Sequence, residues 1–385
     1  MLFLELLAIG IAGFWFIVLL HTALGAVFIP RLAVSGAARG ISTRPARVSI
    51  IFAYRDEQDG ILAACRSMLA QDYPELEVIA VNDRSTDASA GILDALAGDP
   101  RLKRLQIDEL PAAWLGKNHA LQRGSEAASG DWLLFTDADV VFTADTVTRS
   151  IAAAGKYRSD HLALLPAVTL NGPIEKIFYR SFGALFAVRF WPWAARFKHL
   201  HGYAGVGAFN LIRREAYAAI GEHRAIAMEV ADDLMLAKRV KDSGLRLMVG
   251  SGENLIRVRW FVGWAGLMKS INKNAFRGFN YQLEMVIAAA AFLVFCSAAP
   301  ALCLLGPSPL FWTAGGVSIA SMILVQFGFG SRLLENILLG LLMPVGLTLF
   351  AYLILMSAWD AHRDQAVTWR GTRYPLELLK QSPPL

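Results

Sequence analysis

Two aspartates one residue apart, Asp137 and Asp139, follow the apolar run Trp132–Phe135 in the segment Thr136-Asp137-Ala138-Asp139. Carboxylates at i and i+2 on a strand end converge on one hard cation if the chain bends there. Mg²⁺ or Mn²⁺ takes one or two carboxylates and completes its shell with substrate phosphates; a solvated turn is the plain alternative. Asp83, in Val81-Asn82-Asp83-Arg84-Ser85-Thr86-Asp87, ends another apolar run. It suits an N-cap for the next helix, or equally an acceptor for the N3–H of a uracil ring. Asp232-Asp233 opens a helical stretch, Leu234–Ser243, that stops at Gly244. The helix dipole accounts for one acid in a first turn. Two exceed that need, and one of them near a cleft can serve as general base for an alcohol. Lys117, preceded by Gly116, either reaches a phosphate or stays on the surface. The glycine-rich string Gly202–Phe209 reads as a flexible strand-entry loop, weak evidence by itself.

These residues need a scaffold, and short apolar runs alternating with amphipathic stretches from Arg47 to about Trp260 supply one. Val48–Tyr54, Leu76–Asp83 and Leu102–Ile107 are predicted strands, and Trp132–Phe135 leads a fourth. Helical patterns run from the first strand through Gln71, over Thr86–Leu96 and over Lys117–Ala128. Such alternation predicts βαβ units and an α/β, mostly parallel sheet covered on both faces. Ligands collect at the carboxyl ends of such strands, where Asp83, Asp137 and Asp139 all lie.

The rest of the chain is of another kind. Of 385 residues, 55% are hydrophobic and 18% charged, and no charge falls between Glu5 and Arg31, Glu284 and Arg332, or Glu335 and Asp360. A bilayer core takes about 20 apolar residues per helix, so these blocks hold one, two and one spans. Disorder, a fibrous repeat and a secreted disulfide scaffold are excluded. The net charge of +5 comes from 37 basic and 32 acidic residues. Arg31, Arg39, Arg44 and Arg47 flank the first span and place that side in the cytoplasm; without aromatic interleaving they do not make a nucleic-acid surface. The N-terminus lacks a positive n-region and reads as a retained anchor. Cys65, Cys296 and Cys303 form no metal-spaced pair and are expected to be reduced.

Two aromatic and basic stretches join the halves. Ile174–His201 carries Phe178, Phe182, Phe186, Phe190, Trp191 and Trp193 among five basic residues, which suits a helix in the headgroup layer or a core helix under the sheet. Trp260–Phe279, with Trp264, Lys269, Lys273 and Arg277, leads into the membrane block. The expected organisation is therefore an anchor at 1–30, a basic linker at 31–46, and a sheet domain at 47–259 with an interfacial aromatic segment at 174–201. An interfacial amphipathic helix at 260–281, about three transmembrane helices at 282–359 and a polar tail at 360–385 complete it.

In this order and spacing, the motifs resemble the family 2 glycosyltransferases with a GT-A fold. The residues that carry the resemblance are Ala53-Tyr54-Arg55-Asp56-Glu57, Val81 to Asp87, and Gly116-Lys117-Asn118-His119-Ala120-Leu121. Thr136-Asp137-Ala138-Asp139, Gly205-Val206-Gly207-Ala208-Phe209 and Asp232-Asp233-Leu234 continue it, and the tail Thr368-Trp369-Arg370-Gly371-Thr372-Arg373-Tyr374 is similar to the ending of many membrane members. The resemblance implies a Rossmann-like cytoplasmic domain plus transmembrane helices, performing inverting transfer of a sugar from a nucleotide donor, most simply a UDP-sugar. It implies that Ala53, Tyr54, Arg55, Glu57 and Asp83 hold the nucleoside and that Lys117 lies near the diphosphate. Asp137 would contact ribose or sugar and share with Asp139 the binding of Mg²⁺ or Mn²⁺. Asp233, with Asp232 as its neighbour, would be the base. The acceptor side would draw on Gly207, Phe209, Phe190, Trp191, Arg259 and Trp260.

Processive members carry Gln/Arg-x-x-Arg-Trp after the base, whereas Ile256 stands three residues before Arg259-Trp260 here. That departure weakens a polysaccharide-synthase reading and puts a ceramide-type assignment in doubt. The layout is similar to bacterial lipid, hopanoid and carotenoid glycosyltransferases, which implies a lipid acceptor and a multi-pass protein of the bacterial inner membrane. A polysaccharide synthase and a non-catalytic membrane scaffold are the alternatives. Three spans after a cytoplasmic domain would put the tail outside, against Arg363, Arg370 and Arg373, so a re-entrant segment stays open.

Overall fold

Val48–Tyr54 (β1) and Leu76–Asp83 (β2) are buried along almost their whole length, as strands covered on both faces must be. They pair in parallel, and so do β2 with Leu102–Ile107 (β3) and β1 with Trp132–Asp137 (β4). Val141–Phe142 (β5), His161–Val168 (β6), Asn210–Arg213 (β7) and Leu247–Val258 (β8) complete the sheet. Its order is β3-β2-β1-β4-β7-β6-β8-β5, with β7 antiparallel to both neighbours and β5 antiparallel to β8. The expected α/β, mostly parallel sheet is therefore the one observed. The first four strands match the expected segments, and β7 begins where the strand-entry loop Gly202–Phe209 ends; β5, β6 and β8 have no counterpart among the expected segments.

The computed structural model describes residues 1–32, 45–261 and 263–384, in two units. The sheet unit comprises Pro30–Thr169, Ala194–Trp260 and Glu377–Leu385. Its core gathers Ile50, Phe52, Met68, Val78, Leu134 and Phe209, none measurably exposed. At the amino ends of the strands, buried Glu77 accepts hydrogen bonds from Ser49 Oγ (2.6 Å) and Ser129 N (2.6 Å) and pairs with Lys103 at 2.6 Å. Burial pushes this carboxyl up, but those donors outweigh it and hold it down at about 2. Pro30 and Leu32 add to the sheet edge: Pro30 O accepts from Ser251 N at 2.9 Å, and Leu32 O accepts from Arg149. Arg39 and Arg44 of the expected basic linker lie outside the described residues.

The other unit comprises Met1–Ile29, Leu170–Trp193 and Phe261–Leu376. Among the described residues four helices are long and apolar enough to cross a membrane: Leu2–Phe28, Leu283–Leu304, Pro309–Gly328 and Met343–Asp364. The expected aromatic segment at 174–201 is α-helical only over Pro173–Phe190, with a 3-10 turn at Pro192–Ala194. Trp191 turns left-handed (φ 49°) and Pro192 follows; proline cannot extend the helix, so the chain leaves the segment there. Leu170–Trp193 groups with the apolar helices, because Phe178 packs its ring against Phe261 and Phe350, both at 6.0 Å. Only the part from Ala194 onward groups with the sheet. The expected helix at 260–281 is Gly263–Asn274 plus a 3-10 turn at Arg277–Phe279. The tail folds into a hairpin, Ala366–Trp369 with Thr372–Pro375, turned by Arg370 (φ 47°) and Gly371 (φ 74°). Two successive left-handed residues match the twist of paired strands. All three cysteines are free and buried.

Candidate active site

The strand order reverses direction at β1: the chain steps outward through β2 and β3, then returns to lay β4 on the other side. A crevice opens at such a switch point, at the carboxyl ends of the strands. Register at these strand ends sets Ala53 beside Asp137 and Tyr54 beside Asn82. Tyr54 is buried, which pushes its hydroxyl up to about 12. Arg55 and Glu57 follow in the loop after β1.

That loop is laced to the loop after β2. Asp56 sits at φ 55° and Arg84 at φ 60°, a region that residues with a Cβ rarely occupy and that clusters at functional sites. The Asp56 carboxylate accepts from Thr86 N (2.7 Å) and Asp87 N (3.3 Å). In return Glu57 N donates to Ser89 Oγ (2.8 Å) and Gln58 N to Asp87 Oδ2 (3.0 Å). Arg84, bent back by its left-handed backbone, pairs with buried Asp83 at 2.9 Å. Asp83 is therefore engaged by a cation, a contact that the motif alone did not reveal.

Lys117 is placed by the first turn of the helix Gly116–Ala127, between β3 and β4. Its Nζ lies 2.9 Å from Asp137 Oδ1 and 3.2 Å from Asp232 Oδ2, so three distant stretches of sequence converge on one ammonium. Burial works against its charge, but the carboxylates of Asp137, Asp232 and Asp233 outweigh burial and raise its pKa. Lys117 stays a cation throughout the physiological range. Asp232 and Asp233 form the first turn of the helix Asp232–Asp242. Burial and then the charge of Asp232 push the Asp233 carboxyl up, against Lys117 and the Leu234 N–H, to about 7. A group that exchanges its proton near neutrality is what general-base chemistry requires.

Three glycines make room for these acids. A Cβ on Gly116 would overlap the Asp83 carboxylate, one on Gly207 the Asp137 carboxylate, and one on Gly205 the Asp233 carbonyl oxygen. Gly207 thus enters the site as missing bulk. Phe209 does not enter it: its ring is fully buried, 5.8 Å from that of Phe142, and a core ring offers no face to a substrate. Arg259 and Trp260 follow the last residue of β8. Phe190 and Trp191 belong to the other unit.

Asp139 lies one turn past the end of β4, and a Cβ on Gly60 would stand 3.5 Å from the Asp139 Cβ. Among the described residues no group of three or more His, Cys, Asp or Glu side chains gathers as a metal site. The pair expected to hold a metal, Asp137 and Asp139, offers oxygen donors only. That fits a hard cation completed by phosphates and water, and it does not fit zinc or another metal held by a full protein cage.

Residues 49–221 match the family described as Glycosyl transferase family 2. The succinoglycan biosynthesis protein ExoO of Rhizobium meliloti (strain 1021) is 30% identical over 135 residues, which are 34% of this chain and 36% of that protein. A poly-beta-1,6-N-acetyl-D-glucosamine synthase of Staphylococcus epidermidis is 30% identical over 98 residues, 26% of this chain and 23% of that one. The chain thus spans about a third and about a quarter of the length of these two relatives. Among solved structures, the mannosyltransferase PcManGT from Pyrobaculum calidifontis, in complex with GDP-Man and Mn²⁺, shares the fold at 18% identity. The likeness has a TM-score of 0.51 and covers 94% of this chain and 99% of that one.

Proposed function

We propose that this chain, whose residues 49–221 are a family 2 glycosyltransferase domain, transfers one sugar from a UDP-sugar to the hydroxyl of a membrane lipid, with inversion. The observation that carries the reading is the meeting of Lys117 with Asp137 and Asp232 beside Asp233, whose carboxyl is raised toward neutrality. Asp233 removes the acceptor proton as the hydroxyl attacks the anomeric carbon from the face opposite the leaving group. Lys117 meets the charge that develops on the departing diphosphate, and a fixed cation there favours the transition state over the ground state. Asp137 and Asp139 would hold Mg²⁺ or Mn²⁺, which when bound supplies a second positive charge to the same diphosphate. Ala53, Glu57 and Asp83 surround the nucleoside, with the Tyr54 ring buried behind them against Phe52, and the laced loops hold them in place before it arrives.

A lipid acceptor accords with the four apolar helices and with aromatic residues exposed in their unit, Trp191, Trp264 and Trp359 among them. Trp and Tyr favour the membrane–water boundary, where a lipid presents its hydroxyl. The arginines after the first span support an orientation with the sheet unit in the cytoplasm, and a bacterial inner membrane is the setting proposed for it.

Detergent-purified protein incubated with UDP- and GDP-sugars and a lipid extract tests the reading. Nucleotide release should need a UDP-sugar and Mn²⁺ or Mg²⁺, and the lipid should gain one sugar. Asp139→Asn should lose the stimulation by metal while melting at the wild-type temperature. Equal release in a chelator would remove the metal from the reaction. A ladder of products would favour a polysaccharide synthase, and no release from any donor would favour a scaffold.

A further inference from the structure

We propose that Asn118 is a positioning residue for the general base, acting through the loop Ile226–Ala231; the proposal rests on the reading of Asp233 as that base. Asn118 is fully buried. Its Nδ2 donates to three carbonyl oxygens of one loop, Ile226 O (2.8 Å), Ala227 O (3.2 Å) and Glu229 O (2.8 Å). Its neighbour Leu115 adds a backbone N–H to Ala227 O at 2.8 Å. From inside the loop the Glu229 carboxylate accepts from Ala231 N at 3.0 Å.

The loop needs this support. The helix Asp232–Asp242 starts after Ala231, which has no side chain to cap it, so the orientation of its first turn is set by what holds the preceding residues. Carbonyl oxygens that converge on one point repel one another unless a donor sits between them, and a primary amide brings two hydrogens on one nitrogen. The same helical turn carries Lys117 to Asp232. One turn therefore fixes both the cation and the base, and the distance between them is held from the outside by Asn118.

Asn118→Ala in the full-length protein should bind UDP with wild-type affinity, since the nucleoside residues lie on other loops. Its kcat per folded molecule should fall about 10- to 100-fold, the scale expected when a reacting group drifts by an ångström. Asn118→Ser keeps one donor and should fall in between; it is read alone if the alanine variant does not fold. A merely structural role lowers the melting temperature and leaves kcat per folded molecule unchanged, so wild-type kcat in a folded variant overturns the proposal. Asp233→Asn, measured alongside, separates the two readings. If it retains transfer, the base assignment falls and the positioning role falls with it. If it is inactive while the Asn118 variants work normally, only the positioning role fails.

From a separate observation we infer that the helix Met343–Asp364 is the return arm of a re-entrant hairpin and that the tail lies on the cytoplasmic side. In the apolar unit, Leu2–Phe28 and Leu283–Leu304 run antiparallel, with Trp15 donating to Cys296 O and Ala8 packed near Cys303 and Phe311. Pro309–Val325 runs back, and Gly328 meets Thr22 near the end where Leu283 starts. Met343–Asp364 finishes at that same end: Asn272 donates to Asp360 at 2.9 Å and Phe276 N to Ser357 Oγ at 3.3 Å, just before Leu283. A chain that has already returned and finishes on the side it returned to has gone in and come out again. The ascending arm is Leu333–Leu341, nine residues, about 13 Å of helix against a core of about 30 Å.

Charge follows the same division. The far-end segments Met1–Ala8 and Leu302–Phe311 carry no Lys or Arg, while Arg332, Arg363, Arg370 and Arg373 sit in the near-end segments. Beyond the hairpin the chain joins the sheet unit, where Ser382 Oγ donates to Met228 O at 3.3 Å. Single cysteines at Pro307 and Lys380, probed with a membrane-impermeant maleimide in bacterial cells, test this. Pro307→Cys should label in intact cells and Lys380→Cys only after permeabilisation. Labelling of Lys380→Cys in intact cells, or of both positions from one side, overturns the hairpin.

Discussion

Asp233→Asn should bind donor nucleotide as the wild type does and lose transfer by about 10²–10⁴-fold, the usual contribution of a general base. The amide is nearly isosteric and can still meet Leu234 N, which donates to Asp233 Oδ1 at 2.8 Å, so the helix start survives. What it cannot do is take a proton from an alcohol. The wild-type pH profile should carry the same signature. A base works only when ionised, so transfer falls as pH drops through the carboxyl's pKa. Because burial and Asp232 raise that pKa to about 7, the acid limb should stand near neutrality, well above the ordinary value of about 3.9. An acid limb in the ordinary carboxylate range would place the base elsewhere. An inactive Asp232→Asn beside an active Asp233→Asn would exchange the two roles.

Lys117→Met should be nearly as damaging and differ in kind. Losing the ammonium leaves Asp137, Asp232 and Asp233 without their shared cation, and the diphosphate then approaches uncompensated acids. Nucleotide affinity and kcat should fall together, with kcat/KM lower by roughly 10³-fold, as when a preorganised charge at the leaving group is removed. Lys117 also lowers the Asp233 pKa, so residual activity should show its acid limb moved further upward. Lys117→Arg should not restore the rate, because a planar guanidinium cannot occupy the space of a compact ammonium. Residual activity with an unshifted limb would mean that Lys117 and Asp233 do not sense each other. Circular dichroism of the purified variants separates these effects from unfolding.

The legible part of this protein was local. Val48–Tyr54, Leu76–Asp83 and Leu102–Ile107 are strands with the expected bounds, because continuous apolar runs between turn residues leave few other options. The helix at Thr86–Leu96 shortened to Ser89–Asp94, since Thr86 and Asp87 use their amides on Asp56. The loop Gly202–Phe209 points to a strand after it, but the four residues of β7 carry no period, and only pairing with β4 and β6 sets its bounds and direction. Composition presents 174–201 as one aromatic and basic piece, and Pro192 divides it. At the site, the acids and the lysine were identifiable by motif, but not that Lys117 binds Asp137 and Asp232 or that Arg84 takes Asp83. Asn118 stands inside the Gly116–Leu121 motif, but its role is not legible there: a polar residue in a first helical turn looks like surface until the loop it holds is known.

Gly116, Gly205 and Gly207 each stand where a side chain would collide with an acid of the site, and none of the three has the left-handed backbone that usually explains a glycine. What they encode is vacancy. Random mutagenesis of this protein should accordingly find a class of inactive variants in which every reactive group is present and one methyl too many has been added. Such positions carry no chemistry and leave no reactive atom for an inhibitor or a label to find. The information that specifies this crevice is therefore written partly in missing carbon, and a census of functional groups alone undercounts it.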